Sequence, residues 1–233
     1  MSPPEPADPG QPPARSTLAA ATRQGLSVGI PTALYGASLG ALAVASGLSV
    51  WQACVTSLLL FSGGSQFALV GVAGGGGSVG AAVAASTLLG VRNALYGLQL
   101  APLLRPRGAA RLPTALLTID ESTAVAIAQP DPAARRRGFW VTGVTVYVGW
   151  NLMTLAGALV GDALGDPRRY GLDAAAAAAF LALLWPRLRG REPVAVAVAG
   201  GLVAGLLVPV LPVGLPVVAA ALVAVGVGLG RRR

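Results

Sequence analysis

Apolar residues fill this chain in long runs, and polar ones fall between the runs or at a few isolated points within them. Runs of about 20 apolar residues suit helices that cross a hydrocarbon core of roughly 30 Å. The pattern predicts seven of them, over Gln24–Ser46, Ser49–Ala73, Ser78–Leu104, Gly138–Val160, Leu172–Trp185, Pro193–Val210 and Gly214–Gly230. The last two are parted by LPVGLP, Leu211 to Pro216, which a helix does not easily continue through. Lipid-facing barrel strands would alternate apolar and polar residues, and these runs do not. The expected fold is an all-α polytopic membrane protein with one transmembrane domain over residues 24–233. Residues 1–23 are Pro-rich and lack an apolar core segment, so they read as a disordered tail and not as a signal peptide.

Two places break the pattern. Phe61 to Phe67 reads FSGGSQF in the middle of an apolar run. Glycine costs a helix about 1 kcal/mol relative to alanine, so an adjacent pair favours unwinding. In lipid the freed backbone groups need partners, and broken backbone survives only within protein or beside a watery cavity. A half-helix starting near Gly63, Gly64, Ser65 and Gln66 would offer free N–H donors and a positive dipole end to a carboxylate. Tight packing through small residues is the plainer alternative, although it would not need Gln66. The run Gly74–Gly77 that follows reads as a flexible loop.

The second break is an eighth segment over residues 112–129, LPTALLTIDESTAVAIAQ, long enough to span but with Asp120 and Glu121 at its centre. Each carboxylate there costs about 2.5–3.5 kcal/mol on insertion scales. The segment crosses, re-enters or lies at the interface. Burial raises a carboxyl pKa and a nearby arginine lowers it, which is a workable basis for proton coupling. Interfacial solvation of both acids is the plainer reading.

Composition agrees with a membrane protein. Hydrophobic residues make up 54% and charged ones only 11%, against about 25% charged in an ordinary soluble domain. The net charge of +8 sits in short arginine clusters between apolar runs, a topology signal and not a nucleic-acid surface. Arg105, Arg107 and Arg111 precede the eighth segment and Arg135, Arg136 and Arg137 follow it. If both clusters are cytoplasmic the segment does not cross and the amino terminus lies outside; if it crosses, the amino terminus is inside. The carboxy terminus is cytoplasmic on either count. In the non-crossing count the two halves start on opposite sides, and each contains a Gly-Leu turn, Gly47–Leu48 and Gly171–Leu172, as a divergent inverted repeat would. The lone Cys54 permits no intrachain disulfide and reads as a small buried side chain. With no histidine, histidine metal sites and proton relays are excluded. No nucleotide-binding loop or GxSxG elbow is present, so neither an enzyme nor a cofactor or metal is expected.

Arg92 lies deep in the third run, where lipid exposure would be costly. At helical spacing it shares a face with Tyr96 and Gln99, while Ser86, Gly90, Asn93 and Gly97 line the neighbouring face. Asp120 or Glu121 are its central candidate partners, in a functional or a static pair. In the fourth run Gly143, Tyr147, Asn151 and Thr154 form a polar stripe that either lines a path or bonds helices together.

FSGGSQF, VRNALYGLQLAPLL, TIDES and GDALGDPRRYGLDAAAAAAFLALLWPRL, in that order, resemble the AzlC family over essentially all of residues 24–233. Gly64, Ser65, Gln66 and Phe67 match its Gly/Ala-Ser-Gln-Phe stretch, and Arg92, Leu95, Tyr96 and Gly97 match its arginine before Leu-Tyr-Gly. Asn93 stands where the family usually has histidine, so a proton carried by that ring is not available here. Asp120 and Glu121 meet the family's Thr-Asp-Glu, with Ile119 intervening after Thr118. The resemblance implies export of leucine, isoleucine, valine or methionine from bacteria across the inner membrane, driven by protons, with a small AzlD-type membrane partner. On that basis Gly63, Gly64, Ser65, Gln66, Arg92, Asn93, Tyr96 and Asn151 are candidate substrate-binding residues, and Asp120 and Glu121 are candidates for proton coupling. Export of another small organic solute, or a structural or regulatory subunit that carries nothing, are the rival readings.

Overall fold

The computed structural model describes residues 15–164, 188–211 and 215–230, with the isolated positions 181, 184 and 185. Every regular element among them is helical: α1 Arg15–Leu34, α2 Gly36–Ala45, α3 Val50–Leu59, α4 Gly63–Gly74, α5 Val79–Leu104, α6 Arg111–Leu116, α7 Asp120–Ile127, α8 Pro132–Ala163, α9 Arg191–Leu207 and α10 Leu215–Gly230, with a short 3₁₀ turn at Gly108–Ala110. Among the described residues, two apolar stretches are long enough to cross a bilayer, Thr17–Ala45 and Pro132–Ala163. At 1.5 Å per residue α8 alone runs about 48 Å, and the 26-residue α5 about 39 Å.

Most predicted runs recur as helices, with shifted ends. The chain becomes helical at Arg15, inside the predicted tail, because after Pro13 the sequence RSTLAAATRQ is rich in good helix formers. The predicted first span is divided: Pro31 cannot donate to the preceding turn, and the helix resumes at Gly36 after a turn at Tyr35. The Gly74–Gly77 run is a defined helix end, which corrects its reading as a flexible loop. Gly74 still belongs to α4, Gly76 has φ +82°, and Gly77 N–H donates to the Val72 carbonyl at 2.9 Å. A glycine in the left-handed conformation is what such a closing turn requires. The predicted span Leu172–Trp185 lies almost wholly outside the described residues, as do residues 1–14, the Gly171–Leu172 turn and the centre of the LPVGLP turn.

The helices form two compact units, one within Met1–Thr32 and Tyr96–Tyr147, the other within Ala33–Leu95 and Val148–Arg233. In the first, α1 lies close on α8: a Cβ on Gly25 would sit 3.0 Å from the Thr142 hydroxyl, and one on Gly29 2.9 Å from a Thr145 methyl. Gln129 Nε2 donates to Gln24 Oε1 at 2.8 Å, and Phe139, Val125 and Ala126 fill the interior.

In the second unit α2 and the later part of α8 approach through small residues. A Cβ on Gly40 would collide with the Thr154 carbonyl oxygen, and one on Gly157 with that of Ala37. Gly36 stands against Trp150 in the same way, and Gly161 lies against Ala41. Where lipid is as apolar as leucine, helices gain by close van der Waals contact, and glycine allows it. Ala68 and Val72 of α4 pack with Ala82 and Ala85 of α5, and α9 packs on α10.

Enlarging the seam of α2 and α8 should be poorly tolerated because the obstructing atoms are backbone. Gly157→Leu or Gly40→Leu is expected to cost about 2 kcal/mol or more and to lower the thermal midpoint of detergent-purified protein. Gly201→Leu, where a Cβ meets nothing within 4 Å, should leave that midpoint near the wild-type value.

Candidate functional site

The interruption predicted at FSGGSQF is present. α3 ends at Leu59, Leu60 closes it, and Ser62 is extended with φ −158° and ψ 100° before α4 starts at Gly63. The ten-residue α3 is about 15 Å long, half a hydrocarbon core. The break therefore falls at mid-membrane depth if α3 starts at the interface.

Side-chain hydrogen bonds serve some helix starts and not others: α2, α6, α7 and α9, like α4, have no side chain capping the first turn. In α3, Ser49 Oγ accepts from Gln52 N–H while the Gln52 side chain accepts from Ser49 N–H, a reciprocal capping box. Ser78 caps α5, Ser122 reaches back to the Ile119 N–H at the start of α7, and Asp131 accepts from Ala133 and Ala134 at the start of α8. α9 opens at exposed residues. α4 has no side-chain cap, although Gly64, Ser65, Gln66 and Phe67 are all buried. Ser62 Oγ donates sideways to Ser65 Oγ at 3.1 Å instead. A buried helix start without a cap leaves N–H groups that call for an acceptor.

Arg92 of α5 lies beside this turn. A Cβ on Gly64 would sit 2.9 Å from Arg92 Nη2 and 3.3 Å from a Leu89 methyl, so the missing side chain lets the guanidinium approach the α4 backbone. A Cβ on Gly90, two residues before Arg92, would meet Ser65 Oγ at 3.3 Å. A cation is unfavourable at the positive end of a helix dipole. The half-buried Arg92 is thus placed at the positive end of α4, a position where an anion would be favoured.

The floor of the site is a hydrogen-bond relay between helices. Gln66, fully buried, donates from Nε2 to the Ser57 carbonyl at 3.1 Å, and Ser57 Oγ donates to Thr154 Oγ1 at 3.4 Å. Thr154 therefore bonds helices together, which decides that part of the predicted polar stripe. Trp150, one turn before Thr154 on α8, puts its Cη2 3.1 Å from where a Gly63 Cβ would be, and it meets Phe67 edge to face at 6.3 Å between ring centres.

The second unit thus brings together Gly63, Gly64, Ser65, Gln66 and Arg92 as expected. Asn93 follows Arg92, half-buried, and Asn151 follows Trp150, also half-buried. Tyr96, Asp120 and Glu121 belong to the first unit. There, the segment over residues 112–129 is itself interrupted: α6 and α7 are separated at Leu117–Ile119. Asp120 and Glu121 form the first turn of α7, both half-buried, where negative charge suits the dipole. Ser57, Trp150 and Thr154 were not expected in the site. Thr154 stood in the predicted stripe, and Trp150 lies one turn before it, so the period of α8 held the signal. For Ser57 the sequence offered no signal beyond a polar residue in an apolar run.

The fold and this buried, helix-ended site define a helical membrane protein built around an interrupted helix. The AzlC protein family matches residues 27–164, more than half of the chain, and the chain belongs to that family. The family is associated with transport of branched-chain amino acids. Comparison with curated proteins and with solved structures gives no significant match.

The methyl of a Gly64→Ala variant would press on the flexible ends of Arg92 and Leu89 and not on backbone. Its melting temperature should stay within a few degrees of wild type, while transport falls several-fold because the guanidinium is pushed off the α4 turn. Equal transport at equal expression would show that the approach of Arg92 to Gly64 is only packing.

Proposed function

We propose that this chain is the large subunit of a secondary exporter of branched-chain amino acids, with leucine, isoleucine, valine and methionine as cargo. It works in the bacterial inner membrane by exchange against protons, together with a small AzlD-type membrane subunit. Seven spans with the carboxy terminus in the cytoplasm complete the reading, the arginine clusters giving the orientation. Family membership supports the cargo class. The observation that carries the mechanism is the uncapped, buried first turn of α4 with Arg92 beside it.

An apolar amino acid crosses as a zwitterion, so it needs a place for its carboxylate, a place for its ammonium and an apolar surround. The N–H groups at Gly64 and Ser65 with Arg92 receive the carboxylate, and the electrostatic attraction is strong where water is scarce. Asp120 and Glu121 take up and release the coupling proton. They are suited to that role by carrying the acidic charge of an interrupted helix in a chain without histidine.

The test is flux of labelled leucine in proteoliposomes under an imposed pH gradient, with the chain alone and with its small partner. Gradient-dependent flux that requires the partner is expected. Asp120→Asn and Glu121→Gln should abolish the pH dependence while expression and insertion stay normal. If both variants respond to the gradient as wild type does, proton coupling runs through other residues. No flux of any of the four amino acids, with another small solute transported, would keep the fold and change the cargo.

A further inference from the structure

Two buried polar groups beside the α4 turn have no partner. Gln66 is fully buried and its Nε2 is committed to the Ser57 carbonyl, which can only accept. The amide orientation is therefore settled, and Oε1 is left as an acceptor with no donor. Trp150 is 4% exposed and its indole N–H, which can only donate, has no acceptor. Unpaired groups of this kind are expensive to bury. Both residues border the first turn of α4. The Trp150 ring edge bearing Cη2 and Cζ2 rests on Gly63, and Nε1 is separated from Cζ2 only by Cε2. Ser57 ties Gln66 to the same stretch of α8 through Thr154.

Resting on the transport reading above, we infer that Gln66 and Trp150 complete the polar end of an α-amino-acid subsite. The carboxylate takes the N–H groups of the first α4 turn together with Trp150 Nε1–H. The ammonium donates to Gln66 Oε1. A zwitterion carries the acceptor that one orphan lacks and the donor that the other lacks, whereas a simple carboxylate or a simple amine satisfies one and leaves the other unpaired. The crossed rings of Trp150 and Phe67 flank the apolar portion. Trp150 serves two ends at once, its N–H polar and its ring apolar, so a phenylalanine in its place separates the roles.

The assignment is tested by binding of three labelled probes to the purified full-length chain with its partner: leucine, 4-methylpentanoate, which lacks the ammonium, and 3-methylbutylamine, which lacks the carboxylate. Wild type should bind leucine at least about tenfold more tightly than either truncated probe. Trp150→Phe should weaken leucine about tenfold and 4-methylpentanoate comparably, yet leave 3-methylbutylamine unchanged. Gln66→Met should weaken leucine and 3-methylbutylamine and spare 4-methylpentanoate. Wild-type leucine affinity in Trp150→Phe, or equal losses for all three probes, would overturn the assignment and leave these residues as packing while the transport reading stands. A wild-type protein that binds none of the three overturns both.

Discussion

Backbone that leaves a helix inside a bilayer must find partners for its N–H and C=O groups, and much of this structure follows from that constraint. The chain leaves a helix at Leu60–Ser62, and the local hydrogen bonds recover only part of what is lost. Ser62 N–H donates to the Leu60 carbonyl at 2.7 Å, and Gln66 N–H closes the first turn on the Ser62 carbonyl at 2.9 Å. The remaining donors of the turn are held by burial against α5 and α8 and not by a cap. The close packing of α2 on α8 matters for this reason. Glycines at Gly36, Gly40 and Gly157 draw α8 inward, which presses Trp150 onto Gly63 and sets Thr154 within reach of Ser57.

Glycine has two different uses along this route. On α2 and α8 it removes a side chain so that backbones can meet, a packing use with no chemistry of its own. At Gly63 and Gly64 it removes side chains so that an indole and a guanidinium can meet the start of a helix. The second use brings a half-buried arginine to the positive end of a helix. That difference separates the binding reading of FSGGSQF from the reading in which small residues simply allow helices to touch.

The helical class, the interruption and the main polar residues were legible because each violates the apolar run in which it lies. Gln66, Arg92, Asp120 and Glu121 stand out by the insertion penalty that a polar group carries in lipid. The division at Tyr35 was less visible, since a single proline within an apolar run either kinks or breaks a helix. Trp150 was missed for a complementary reason. Tryptophan in an apolar run looks like filler, and only its unpaired N–H beside Gly63 shows otherwise. The early start of α1 was hidden by a Pro-rich preceding stretch that dominates the composition of the first residues.

The two interrupted segments are alike in form and opposite in electrostatics. In each, a short helix ends, an extended residue follows, and a buried serine occupies the third position of the next helix: Ser65 in α4 and Ser122 in α7. Ser122 turns back, accepting from the Ile119 N–H at 3.1 Å and donating to the Leu117 carbonyl at 2.5 Å, so its hydroxyl ties the helix start to the preceding turn. Its first two residues are Asp120 and Glu121, which already satisfy the helix dipole. Ser65 instead accepts from Ser62, its helix start is uncapped, and its first two residues are glycines beside an arginine. The same backbone device thus yields one turn that carries its own acidic residues and one that presents glycines to an arginine. In the transport reading proposed above, one group holds charge reversibly and another recognises the zwitterion, and the two turns are assigned one role each.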